Sequence, residues 1–197
     1  GMQVESGDVV VVKGKTVVPE EKKVYLAFNK PRGIVCTAEK REKNNVIDYL
    51  SYPVRIYPVG RLDKDSEGLL LMTNDGAIVN GIMRARNRHE KEYQVEVNKE
   101  ITPEFLKKMA SGVPILDTVT RPCRIRKTGE RSFTIILTQG LNRQIRRMCE
   151  ALGYRVTKLK RVRIMNIHLK DLKTGEYRPL TEKELAELKK QIGEEKR

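Results

Sequence analysis

The stretch YPVGRLDKDSEGLLLMT, residues 57–73, predicts a β-strand, a charged loop and a second, strongly apolar strand. The loop, residues 60–68, carries five charged side chains in nine residues, which is most often typical of a solvated surface turn. Here Leu62 and the apolar run that begins at Leu69 pull the loop towards the core, so we expect Asp63 to be partly buried. A buried carboxylate must be paired with a cation or protonated.

The segments on either side of this stretch favour strands interspersed with helices. Further strand patterns occupy residues 24–28, 91–97, 133–137 and, as one or two strands, 155–167. Helix caps are indicated at Thr102 before Pro103, at Asn142 before a segment ending at Gly153, and at Thr181 with Glu184 before a segment ending at Gly193. Because the order lacks βαβ regularity, the sequence predicts an α+β fold with a central, largely antiparallel mixed sheet and flanking helices.

The overall charge points to a nucleic-acid partner. The 197 residues include 40 Lys and Arg against 26 Asp and Glu, a net charge of +14. The longest uncharged run, residues 132–142, is too short to span a bilayer, so no membrane partner is expected.

Three cysteines, an odd number and far apart in sequence, fit a reducing cytoplasm. Two histidines, neither near a cysteine, give no zinc-ligand pattern.

A second charged segment, QGLNRQIRRM at residues 139–148, begins the second of the three predicted helices. On a helical wheel centred on Ile145, Arg143 and Arg147 face solvent, whereas Arg146 lies at the edge of the apolar stripe and can reach inward. A pair between Arg146 and Glu150 at i,i+4 spacing is the alternative, and the wheel leaves both open. In the strand 91–97, Tyr93 shares a face with two valines, which on its own favours a core tyrosine.

Together these segments resemble the RNA pseudouridine synthases, in particular the RsuA/RluB/RluE/RluF branch that modifies ribosomal RNA. The matching motifs are the catalytic motif at residues 57–70, KPxG at 30–33, the tyrosine motif KEY at 91–93, and QGxNRQIRR at 139–147. Their order and spacing agree from about residue 24 to residue 179, nearly the whole chain. The stretch from Gly112 looks most like the RluF subgroup, which acts on large-subunit (23S) rRNA.

The resemblance implies the pseudouridine synthase catalytic fold and a set of site residues. Asp63 would be the reacting carboxylate, Arg146 its guanidinium partner, and Tyr93 the ring that packs against the flipped uracil and helps remove the C5 proton. Arg61 would fill the space that the flipped base leaves. The remaining residues expected to line the cleft or hold RNA are Lys30, Arg32, Lys91, Asn142, Arg143, Gln144 and Arg147. The reaction needs no cofactor and no metal.

The same resemblance implies a partner and a domain organisation. The expected substrate is ribosomal RNA, possibly tRNA, acted on by a cytoplasmic monomer. Members of this branch usually begin with an S4-type RNA-binding domain. Residues 1–18 are therefore interpreted as a remnant or tail of such a domain, and residues 19–197 as the catalytic domain.

Three alternatives stay open. The same chemistry could act on small-subunit rRNA or tRNA. Asp63 and Asp65 could instead bind magnesium in a nuclease or phosphatase. Finally, the chain could be a non-catalytic RNA-binding protein of ribosome assembly.

Overall fold

A computed structural model describes residues 10–12, 15–17, 22–39 and 41–194. The strands are β1 (Val10–Val12), β2 (Lys15–Val17), β3 (Tyr25–Lys30), β4 (Tyr57–Val59), β5 (Glu67–Thr73), β6 (Lys91–Val97), β7 (Pro114–Ile115), β8 (Thr118–Val119), β9 (Arg124–Gly129), β10 (Ser132–Leu137), β11 (Val156–Ile164), β12 (Ile167–His168) and β13 (Tyr177–Pro179). The helices are α1 (Val46–Leu50), α2 (Gly76–Arg84), α3 (Pro103–Ser111), α4 (Gln144–Ala151) and α5 (Glu182–Glu194).

A nine-stranded sheet organises the chain, in the order β13-β3-β5-β11-β6-β10-β9, with β4 beside β5 and β12 beside β11. The pairing of β5 with β11 is parallel, whereas the other pairs in this sheet are antiparallel. The predicted α+β fold with a largely antiparallel mixed sheet is therefore confirmed.

The sheet has two halves, each with its own core. In one half β5 is buried on both faces: Leu69 and Leu71 face a cluster that includes residues of α2 and α5, and Leu70 and Met72 face a cluster that includes Val46 of α1. In the other half β6 and β10 pack against α3 and α4. The parallel pair β5–β11 joins the two halves, and the charged loop at residues 60–66 lies at this junction.

Gly68 makes this junction possible. It pairs with Arg161 in the parallel register and has φ +108°. A Cβ at this position would lie 2.2 Å from the carbonyl oxygen of Arg161, so a side chain here would separate β5 from β11.

Most of the predicted elements are present. The strand over residues 91–97 has the predicted bounds, and the cap of α3 is confirmed because the hydroxyl of Thr102 accepts from the amide of Phe105. The capping box of α5 is confirmed by reciprocal hydrogen bonds between Thr181 and Glu184. Gly193 does not end α5, however, since the helix continues to Glu194.

The N-terminal expectation lies largely outside the described residues. Of the residues 1–18 interpreted as an S4-type tail, the structure describes β1 and β2, which pair antiparallel with each other. Over the described part of the chain, no helix has the length and apolar character needed to cross a membrane.

Candidate active site

The loop between β4 and β5 is held at both ends by one buried arginine. Arg161 of β11 donates from Nη2 to the carbonyl oxygen of Gly60 (2.6 Å) and from Nε to that of Leu69 (2.9 Å). Inside the loop the amide of Ser66 donates to the carbonyl oxygen of Asp63 (3.0 Å). Leu62 is buried as predicted, and the Asp63 side chain is 41% exposed. The loop therefore presents Asp63 to solvent from a fixed backbone.

Helix α4 docks onto this loop through Arg146. Its guanidinium donates from Nη2 to the carbonyl oxygen of Asp65 (3.0 Å) and to the hydroxyl of Ser66 (3.2 Å), and Nη1 lies 3.5 Å from the Asp65 carboxylate. Only 8% of this side chain is exposed, and burial lowers the pKa of Arg146. Of the two alternatives that the helical wheel left open, the structure shows the inward reach, and Arg146 contacts Asp65 and Ser66.

The position of Arg143 differs from the one that the helical wheel predicted. It was expected on the solvent side of the helix, but it is the N-cap, with left-handed backbone angles (φ 48°, ψ 39°) and no side-chain capping bond. Its guanidinium grips Asp65 through two hydrogen bonds (3.0 and 2.9 Å), and Nη1 lies 3.4 Å from Oδ2 of Asp63. The ion partner of Asp63 is therefore Arg143, whereas Arg146 pairs with Asp65.

The carboxylate of Asp65 is the centre of this network. The hydrogen bonds from Arg143 hold the pKa of Asp65 at about 2, and the charge of Arg146 acts in the same direction. The same contact raises the pKa of Arg143. At neutral pH two carboxylates and two guanidinium groups thus lie together at one rim, where Asp63, Asp65 and Arg143 are all partly exposed.

A cavity of about 410 Å³ opens beside Asp63 at the junction of the two sheet halves. This volume lies in the range of small-molecule sites. Tyr93 and Arg161, paired across β6 and β11, both line it. Its apolar walls come from both halves of the fold: Ile82, Leu137, Leu159, Ile164 and Met165. Tyr93 also packs against the core, as its alternation with the valines of β6 indicated.

Most of the other predicted RNA-contact residues lie at the same cavity: Arg61, Lys91, Asn142, Arg143 and Gln144. The ammonium of Lys91 donates to the carbonyl oxygen of Arg86 (2.7 Å), and burial together with the charges of Arg161 and Arg86 lowers the pKa of Lys91 to about 8. Gln144 is buried, donates to Gln139 and accepts from the amide of Leu141, so it stabilises the start of α4.

Two further arginines were expected to contact RNA. Arg32 lies in a groove beside the rim of the cavity, and Arg147 lies on α4. Arg32 is exposed in an open groove that Asp63, Lys64 and Asp65 also line, and it donates to the carbonyl oxygen of Thr157 (3.2 Å). Arg147 bonds the backbone and side-chain oxygens of Asn142 (3.0 and 2.9 Å). Asn142 is thus not the helix cap but a partner of Arg147.

Lys30 lies elsewhere than expected. It is completely buried, and its ammonium donates to the carbonyl oxygens of Pro31 (2.9 Å) and Ile34 (2.7 Å). Burial lowers the pKa of this group. Such a lysine offers no surface to a phosphate, and we assign it to holding the turn of the KPxG motif against the core.

The sequence did not predict the contacts of Asp65 and Arg161. Arg161 lies in the basic run at residues 158–163, which together with the other basic runs favours a surface that tracks phosphates, but the parallel pairing of β5 with β11 buries it. For Asp65 a signal was present: its spacing of two from Asp63 in a short, tightly held loop.

The chain is similar to known proteins over most of its length. The sequence model of the RNA pseudouridylate synthase family matches residues 24–151. The dual-specificity RNA pseudouridine synthase RluF of Salmonella typhi is 54% identical over 194 residues, covering 98% of this chain and 67% of that protein. The ribosomal large subunit pseudouridine synthase B of Bacillus subtilis is 36% identical over 197 residues, covering 96% and 80%.

Solved structures agree. A crystal structure of a pseudouridylate synthase superposes with a TM-score of 0.79 at 28% identity, covering 95% of this chain and 83% of that one. A human RNA pseudouridylate synthase domain protein shares the fold at 14% identity and a TM-score of 0.51. With a family match over most of the chain and a relative of this identity, the chain belongs to the RNA pseudouridylate synthase family.

Proposed function

We propose that this protein isomerises a specific uridine to pseudouridine in ribosomal RNA, with large-subunit RNA as its main substrate. The observation that carries the proposal is the Asp63 carboxylate at the rim of an apolar cavity that Tyr93 also lines, with a guanidinium 3.4 Å away. The names of the relatives from Salmonella typhi and Bacillus subtilis support RNA and, for the second, the large ribosomal subunit. These relatives are bacterial, and bacterial ribosomal RNA is cytoplasmic, which supports a cytoplasmic enzyme.

The chemistry assigns Asp63 the central role. The reaction breaks the N1–C1′ bond of uridine, turns the uracil, and joins C5 to C1′, while C5 gives up a proton and N1 gains one. It requires an ionised carboxylate beside the ribose and the base. Asp63 is partly exposed at the cavity rim, and Arg143 supplies positive charge beside it without enclosing it.

The cavity suits the base. Its aliphatic walls exclude water from the uracil ring, and Tyr93 supplies an aromatic face against which the ring can pack. We infer that Tyr93 also assists removal of the C5 proton. Lys91 lies on the same cavity wall, and we assign its ammonium to donating towards the polar edge of the base.

The target base must leave its stack to enter the cavity, at a cost of a few kcal/mol. Arg61 is exposed, lies at the cavity and directly precedes the buried Leu62. Its planar guanidinium can stack on bases and form hydrogen bonds at the same time, so we assign it to the vacated space in the RNA. Arg32 and the exposed face of Arg143 would hold the flanking backbone through charge.

A magnesium-dependent nuclease is the weaker candidate. The guanidinium of Arg143 contacts both carboxylates that a magnesium ion would need: it donates two hydrogen bonds to Asp65 and lies 3.4 Å from Asp63. EDTA distinguishes the nuclease from the pseudouridine synthase. It would abolish a magnesium-dependent activity and leave pseudouridine formation intact on RNA that stays folded.

The decisive experiment is tritium release from RNA labelled at uracil C5, with wild type and Asp63→Asn compared. Large-subunit rRNA, small-subunit rRNA and tRNA are separate substrates in this assay. We expect release from large-subunit rRNA by wild type and none by Asp63→Asn, with RNA affinity retained. Turnover by both proteins would contradict the assignment of Asp63, and binding without release by wild type on all three RNAs would favour a non-catalytic RNA-binding protein.

A further inference from the structure

Asp65 is a charged group of the site for which the proposed chemistry has no step. Its carboxylate accepts two hydrogen bonds from Arg143, at 3.0 and 2.9 Å, and lies 3.5 Å from Nη1 of Arg146. Its own carbonyl oxygen accepts from Nη2 of Arg146 (3.0 Å). Asp65 is therefore fixed from behind by a buried arginine and in turn fixes a partly exposed one.

The backbone of Arg143 needs such an anchor. A non-glycine residue in the left-handed region costs free energy and persists where neighbouring structure holds it in place. Arg143 begins α4 in this conformation and makes no capping bond with its side chain. Its side chain is instead directed across the rim to the two carboxylates of the loop.

The two carboxylates are not equivalent partners of Arg143. With Asp65 the contact uses both terminal nitrogens, which fixes the plane of the guanidinium. With Asp63 a single nitrogen lies at 3.4 Å, longer than a charge-assisted hydrogen bond. The geometry is that of a guanidinium held by Asp65 and presented to Asp63.

We propose that Asp65 is a positioning residue for the isomerisation: it holds Arg143 at a set distance from Asp63, so that the reacting carboxylate has a cation beside it and remains free to react. This inference rests on the proposed function. The depressed pKa of Asp65, about 2, is consistent with it, because the anchor stays charged over the whole range in which an enzyme works.

Removing the charge of Asp65 should move Arg143. With Asn at this position, two guanidinium groups face one carboxylate, and Arg143 would close onto Asp63 with both nitrogens. The reacting oxygen atoms would then be occupied, so turnover should fall by a larger factor than RNA affinity, to which Arg143 is one of several contributing cations. If the effect passes through Arg143, it should disappear when Arg143 has no charge.

The test is a double-mutant cycle in the tritium-release assay, with Asp65→Asn, Arg143→Gln, the double variant, and Asp65→Glu. Asp171→Asn, an exposed aspartate outside the site, is the matched control. We expect Asp65→Asn to lower kcat by roughly 10- to 100-fold and to change KM by a much smaller factor. In the Arg143→Gln background, Asp65→Asn should lower kcat by less than about threefold. Asp65→Glu should recover part of the loss, since its carboxylate can still grip the guanidinium.

A spectroscopic measurement separates positioning from stability. In the NMR spectrum of arginine side chains, the two-nitrogen contact should slow rotation of the Arg143 guanidinium in wild type, and Asp65→Asn should change this rotation and the Arg143 chemical shifts. Melting temperatures of all variants serve as the fold control. Equal loss of kcat in both backgrounds, or wild-type kcat for Asp65→Asn, would overturn the inference. If wild type releases no tritium from any of the three RNAs, the proposed function itself fails, and an active Asp63→Asn overturns the role of Asp63. An inactive Asp63→Asn beside a fully active Asp65→Asn overturns only the role of Asp65.

Discussion

The ion pair between Glu184 and Arg178 should make the stability of the folded protein depend on pH in the acidic range, and Glu184→Gln should remove this dependence. Arg178, in β13, donates to both oxygens of Glu184 at 2.7 and 3.0 Å, and the amide of Thr181 donates to the same carboxylate at 2.9 Å. Only 11% of the Glu184 side chain is exposed. The pair ties the start of α5 to the edge of the sheet.

The magnitude follows from the pKa of Glu184. The hydrogen bonds from Arg178 hold this pKa at about 2, against 4.5 for the unfolded chain. Because the folded value is the lower one, the stabilisation is complete above pH 4.5 and is lost as the pH falls towards 2. The difference corresponds to roughly 3 kcal/mol in the free energy of unfolding. Glu184→Gln keeps an oxygen for the amide of Thr181 but removes the charge, so it should lose this contribution already at neutral pH.

Urea unfolding at a series of pH values between about 7 and 2 measures the effect. Wild type should lose about 3 kcal/mol more than Glu184→Gln over the acidic part of this range. Glu187→Gln on the same helix is the control, since Glu187 is exposed and should follow wild type. If plots of unfolding free energy against pH for wild type and Glu184→Gln stay parallel down to pH 2, the reasoning is refuted. The loss should reach the active site as well, because Ile192 of α5 packs in the same cluster as Ile82, which lines the cavity.

Two further substitutions test the local rules of the fold. Thr102→Ala removes the cap of α3 and should cost about 1 kcal/mol in thermal unfolding, whereas Thr102→Ser should restore wild-type stability; equal stability of all three would contradict the capping role. Gly68→Ala should cost more than about 2 kcal/mol, since the new Cβ meets the carbonyl oxygen of Arg161 and the backbone has φ +108°. A Gly68→Ala variant with wild-type stability in urea would show that β5 and β11 can separate at no cost.

The elements that the sequence predicted well are those with a local cause. Alternation alone determined β6, and the caps of α3 and α5 are hydrogen bonds within a few residues. Helix α2 was missed although Asp75 caps it, because Gly76 and Gly81 lower its helix propensity. The reason for Gly81 lies far away in sequence: a Cβ there would lie 2.3 Å from Cγ2 of Ile192. A tertiary contact of this kind leaves no periodic signal.

The arginines of the site show that sequence patterns also have a limit in predicting which side chains reach an active site. The helical wheel correctly placed Arg146 at the edge of the apolar stripe, from which it reaches inward, because Arg146 lies inside the regular part of α4. It was wrong for Arg143 because this residue starts the helix with left-handed angles, where the rotation of 100° per residue does not apply. The position that departs from helical geometry is the one that brings a cation to Asp63. Wheel arguments are therefore weakest at helix ends, where backbone irregularity can deliver a side chain to an active site.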